Sequence, residues 1–130
     1  MAVGLSVGEA NKILDALARA VNYTAPTAAW VQLHPGDPGA AGTANIAGNA
    51  TRKQVTFGTA AAGGTISNTV AVSWTAGEVD TTESYAYWSA WTASSGGTFL
   101  WSGLAPASVT TGQVFTLPIG AVDLAFGVAA

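Results

Sequence analysis

His34 is the chain's single histidine, and Asp37 follows three residues later. Together they offer an imidazole base and a carboxylate to orient it, two thirds of a Ser-His-Asp triad. The third part is missing, because no Gly-x-Ser-x-Gly nucleophile turn occurs. Both residues fall instead in His34-Pro35-Gly36-Asp37-Pro38-Gly39. There, two prolines fix φ, two glycines permit positive φ, and the Asp37 carboxylate can accept from downstream backbone. These six residues read as a rigid structural turn. Glu78, Asp80 and Glu83 form the most acidic run. Two carboxylates suffice for glycoside hydrolysis and several oxygens for calcium, but seven acids in one chain always offer such pairs, and the run reads as a solvated loop. The remaining chemistry is aromatic: Tyr85, Tyr87, Trp88, Trp91 and Trp101, rings able to stack on sugars or to bury against protein. No catalytic residue, cofactor or metal ligand is assigned.

The elements that carry those rings follow from period two. Tyr85, Tyr87, Ser89 and Trp91 alternate with Ala86, Trp88 and Ala90, and Phe99 and Trp101 alternate with Leu100, Ser102 and Leu104. A Ser/Gly cluster joins the two runs, so an antiparallel hairpin is predicted at the centre of the fold. Alternate side chains leave a sheet on opposite faces, so some of these rings are expected outward. Trp30, Tyr85, Tyr87, Trp88, Trp91 and Trp101 are therefore candidate interface residues.

Ser6-Val7-Gly8-Glu9 fits a capping box, with Ser6 accepting from a backbone N–H and Glu9 reaching back. The helix it opens carries Ala10, Ile13, Leu14, Leu17 and Val21 as one apolar stripe, with Asn11, Lys12, Asp15 and Arg19 opposite. Ile13 and Leu17 join the candidate interface, since this stripe is expected to dock on the sheets or on a neighbouring copy. Further strands are predicted over 28–34, 51–58, within 65–74, over 113–117 and over 121–128. Val55 and Phe57, then Val70, Val72 and Trp74, then Val122, Leu124, Phe126 and Val128 point inward. The stretches 40–50, 75–84 and 105–112, the last containing Pro106, read as surface loops. Seven to eight short strands separated by turn clusters argue for a mainly β chain, an antiparallel β-sandwich or jelly-roll-like barrel with one N-terminal α-helix. The expected organisation is a helix over 1–22 and a β-sandwich over 23–130, in a single compact domain.

Charged residues make up only 8 % of the 130, against about 25 % in an ordinary soluble domain. A surface of Thr, Ser, Asn, Gln, Ala and Gly repels neighbouring copies little and suits permanent contact. For the outward rings, this favours burial against a subunit over a sugar platform. A net charge of −3 with four cations makes no basic face, so nucleic acid is not an expected partner. There is no cysteine, hence no disulfide frame. No apolar run approaches the length of a membrane span and no signal peptide is read, so no membrane partner is expected.

Trp30-Val-Gln-Leu-His-Pro-Gly-Asp-Pro-Gly-Ala-Ala-Gly42, Asn49-Ala-Thr-Arg-Lys-Gln-Val-Thr-Phe-Gly58 and Gly64-Thr-Ile-Ser-Asn-Thr-Val-Ala-Val-Ser-Trp74 resemble a family of small tailed-bacteriophage virion proteins. Its members are labelled capsid decoration, minor tail or tail-fibre-like proteins, particularly in phages of actinobacteria. The likeness extends over nearly all of the chain after Ala28, and its motifs carry turns and packing. It implies a non-enzymatic structural protein on the virion exterior, made in the host cytoplasm. The expected form is a homotrimer, most readily a capsid decoration (cement) protein contacting the major capsid protein. The alternatives are a minor tail or tail-fibre protein contacting tail proteins, or a module contacting host glycan.

Overall fold

The protein, a computed structural model, is described over residues 3–129; residues 1, 2 and 130 of the expected segments lie outside the described residues. It is mainly β, with antiparallel pairings throughout and one helix. In chain order the elements are α1 (Val7–Arg19), β1 (Ala29–His34), β2 (Lys53–Val55), β3 (Thr65–Ser67), β4 (Val72–Trp74), β5 (Glu83–Trp91), β6 (Phe99–Val109), β7 (Phe115–Leu117) and β8 (Asp123–Ala125). The main sheet has the order β2-β1-β5-β6, and two small sheets, β3-β8 and β4-β7, complete the layers without closing a barrel.

The predicted hairpin is β5-β6, and both its strands are longer than expected. β6 runs through Pro106, where a loop was predicted. A bulge explains this: Tyr85 pairs with Ala107 and Tyr87 with Leu104, so β6 has one residue more than β5 between these pairs. Proline has no N–H to give the ladder, and an edge strand with a bulge leaves it a place. A second irregularity lies at Leu100, between the pairs Ala90–Trp101 and Trp91–Phe99. The Leu100 carbonyl there accepts from Ser6 N–H at 2.8 Å.

That bond mounts the helix. Leu5 bridges Trp101, and Ser102 N–H donates to the Gly4 carbonyl, so the chain enters α1 from the edge of β6. Ser6 caps the helix by accepting from Glu9 N–H at 3.2 Å. The reciprocal half of the capping box does not form, because Ser6 N–H is taken by Leu100. The Glu9 carboxylate turns instead to Lys12 Nζ at 2.9 Å and Tyr23 Oη at 2.7 Å, pinning the following linker to the helix.

One face of the main sheet packs on the two small sheets. Val31, Leu33, Trp88, Ala90 and Trp101 meet Val72, Trp74, Phe115, Leu117 and Val122 in a single cluster. Trp88 and Trp101 meet edge to face at 6.2 Å, and Tyr85 sets its edge to Phe115 at 4.8 Å. Three residues predicted inward are exposed: Val70, Phe126 and Val128. Each lies just outside a strand, where the ladder that would turn it to the core has ended.

Candidate functional site

Some of the candidate interface rings were expected outward, and the structure places most of them inside the chain. Tyr85, Trp88, Trp91 and Trp101 are all buried within the chain, at 2, 0, 7 and 9 % exposure. Tyr87 and Trp30 are half-buried. Tyr85, Trp88 and Trp101 lie in the core beside the small sheets, whereas the opposite face at Phe99 is covered by the chain's own 35–50 segment, whose 40–50 part reads in the sequence as surface loop. Gly42 lies against Phe99 so closely that a Cβ would sit 2.6 Å from the ring, and its φ of +72° suits glycine alone. Ala47 N–H donates to the Leu33 carbonyl, and Pro38 and Ala47 are buried.

The turn residues keep the role expected of them and gain another. Asp37 Oδ1 accepts from Gly39 N–H at 2.8 Å, the local bond the Pro-Gly pattern implied. Asn45, at φ 51°, donates from its side chain to the Asp37 carbonyl. His34 is fully buried, with Nδ1 2.8 Å from the Ala44 carbonyl and Nε2 2.7 Å from Ser89 Oγ. Ser89 also accepts from Trp91 Nε1 at 2.8 Å. Burial holds the imidazole below its ordinary pKa, Arg52 adds to this, and the Ala44 and Asn45 carbonyls with Asp37 act against it. A histidine beside a serine resembles a catalytic pair, yet no substrate reaches a ring with no exposed surface. Ser89 was not singled out from sequence; its place opposite Gln32 and one step from His34's register partner Tyr87 becomes visible only once β1 and β5 pair.

Arg52 binds this face together. Its Nε donates to Gln32 Oε1 at 3.0 Å, its NH1 to the Ala93 and Gly96 carbonyls at 2.9 and 2.7 Å, and its guanidinium lies 4.2 Å from the centre of the Trp91 ring. The β5-β6 turn, β1 and the approach to β2 thus share one side chain.

The three carboxylates of the acidic run do not converge. Glu78 pairs with Lys53 at 2.7 Å and accepts from Thr75 N–H, which lowers its pKa. Asp80 accepts from Asn49, and Glu83 from Gly48 N–H. Among the described residues, no group of three His, Cys, Asp or Glu is placed to hold a metal ion. The cleft of about 420 Å³ bounded by Ala29, Val55, Phe57 and Trp101 has no titratable group on its walls.

Exposed apolar surface lies elsewhere. On α1, Val7, Leu14 and Leu17 are exposed by 71, 59 and 83 %, and Val21 just beyond it by 46 %, while Ile13 is half-buried. Leu104, Val114 and Ile119 make a second exposed set. Among the described residues, no helix is long and apolar enough to cross a membrane.

A family model described as podophage GP4 fiber I protein gp80 matches residues 4–125. No match was found among curated proteins.

Proposed function

The chain belongs to the podophage GP4 fiber I protein family, a phage fibre-type structural family, and from that premise we propose that it is a fibre component of a tailed-phage virion. It acts without catalysis, by burying surface against sister copies and against neighbouring tail proteins.

The observation that carries this reading is the unpartnered stripe of α1. On α1, Val7 and Leu14 are spaced by seven, as are Ala10 and Leu17, the a and d spacing of a helix seam, and Val21 follows just past the left-handed Ala20 that ends the helix. The four exposed side chains, 71, 59, 83 and 46 % accessible, offer roughly 400 Å², the size at which an apolar patch marks a contact surface. The occupant is the same stripe of a sister copy. It presents the same uncharged face, and Lys12 and Arg19 are already paired with Glu9 and Asp15 on the helix itself. At about half of the ~800 Å² that each partner gives to a stable interface, the stripe serves together with other exposed apolar residues such as Leu104, Val114 and Ile119. A homotrimer is the assembly proposed.

Two other sites of action are weaker. A capsid decoration protein would use the same burial chemistry, but the family match speaks for a fibre. A host-glycan module calls for exposed, coplanar rings beside Glu78, Asp80 or Glu83, and of the five tryptophans only Trp30 is not buried. Gold-labelled antibody on intact particles separates the readings. Label on tail fibres is expected; label over the heads would overturn the fibre proposal in favour of decoration.

A further inference from the structure

The 35–46 loop closes the aromatic face of the main sheet, and one buried side chain is its link to the strands. The hydrogen-bond pattern assigns every proton along that link. Nδ1 of His34 faces the Ala44 carbonyl, which can only accept, so Nδ1 carries the ring proton. Nε2 is then an acceptor and receives the Ser89 hydroxyl hydrogen. Ser89 Oγ in turn accepts from Trp91 Nε1–H. Three donors meet three acceptors, and the match holds only for a neutral ring.

A proton added at Nε2 breaks the sequence. Nε2–H would then donate to the second lone pair of Ser89 Oγ, and the serine hydrogen, which the neutral ring accepts, would lose its acceptor between two residues with no exposed surface. A buried donor without a partner, beside a buried charge, is costly. The charged surroundings are mixed: Arg52, stacked on Trp91, opposes a second cation, while Asp37 in the turn favours it, and Tyr87 lies opposite on β5.

We propose that His34 is a protonation-released latch, which holds the 35–46 loop over Phe99 when neutral and frees it in acid. The ends of the loop stay fixed. His34 belongs to β1, Ala47 is bonded to Leu33, and Gly48 is bonded to Glu83. Opening therefore uncovers Phe99, whose ring centre lies 5.5 Å from that of Trp91, and loosens the Ser89–Trp91 bond without dismantling the core on the other face. The sign follows from the neutral ring being the folded form. The latch is at full strength above the ordinary histidine value of 6.5 and is lost as pH falls from there through the lowered folded value.

Because His34 is the only histidine, proton NMR of the intact chain reads its ring without ambiguity, and three indole N–H groups report on the fold. Trp91 donates within the latch, whereas Trp74 and Trp101 donate to the Thr51 and Asp123 carbonyls. On titrating from pH 7.5 to 4.5, the His34 ring is expected to protonate below its ordinary value. Exchange protection of the Trp91 indole should then fall by about tenfold or more as it does so, with Trp74 and Trp101 keeping theirs. His34→Gln should show no such pH-linked fall. The proposal is overturned if the ring protonates with Trp91 still protected, if all three indoles lose protection together, or if the variant repeats the wild-type fall.

Discussion

Arg52 shows how much of this molecule hangs on single side chains, since it holds a glutamine, two turn carbonyls and a tryptophan face at once. Lysine keeps the charge but not the planar fork, so Arg52→Lys is expected to destabilise by about 1–3 kcal/mol in urea unfolding, close to Arg52→Ala. A variant as stable as the wild type would show the clamp to be idle. Gly103 is held by space and not by conformation: a Cβ there would lie 2.2 Å from Trp88 Cζ2. Gly103→Ala should cost about 1–3 kcal/mol through overpacking, read in the same unfolding experiment. Glu9 makes an acid-side contribution distinct from that of His34. Burial alone would raise its pKa, but the Lys12 and Tyr23 hydrogen bonds outweigh burial and hold it below 4.5. Its stabilisation is therefore complete above that value and is lost as pH falls through the lowered one. Tyr23, partly desolvated and bonded to Glu9, is pushed up to about 12, so the same contact weakens again only in strong alkali. Glu9→Gln should flatten stability against pH below 4.5 and leave the His34 limb that begins at 6.5 unchanged.

At the scale of elements, period two in the sequence located both hairpin strands, β1 and the inward set Val72 and Trp74, because alternation is a direct imprint of the pleat. It could not say what lies over each face. The 35–50 segment has no large apolar residue except Ile46, so it read as solvent-exposed. It covers the sheet by other means: a glycine flat against Phe99, a buried proline, and the Ala44 carbonyl offered to His34. Such a cover is written in backbone geometry, to which hydrophobic patterning is blind. The bulges at Leu100 and at Ala105–Pro106 were hidden for the same reason, and with them the mounting of α1 on β6. Gly42→Ala tests the cover as an element. It should cost about 1–3 kcal/mol and raise exposure of Trp91 to an aqueous quencher, while Trp74 stays shielded. Unchanged quenching of Trp91 would mean that Gly42 does not hold the loop down.

For the whole molecule, burial of most of the rings moves the expected contacts to α1 and to other exposed apolar residues, Leu104, Val114 and Ile119 among them. Trp88, Trp91 and Trp101 are buried within the chain, while Leu14 and Leu17 stand exposed on it. Under the proposed fibre role this surface meets a neighbour, and a chain with 8 % charged residues resists lasting contact little. Leu14→Asp combined with Leu17→Asp should separate the copies without altering the β spectrum, as both side chains are exposed in the single chain. The most direct test is the solution mass of the intact chain by light scattering, measured beside that double variant. A wild-type mass of three chains falling to one in the variant is the expected result. A wild-type monomer over the whole working concentration range would contradict the account.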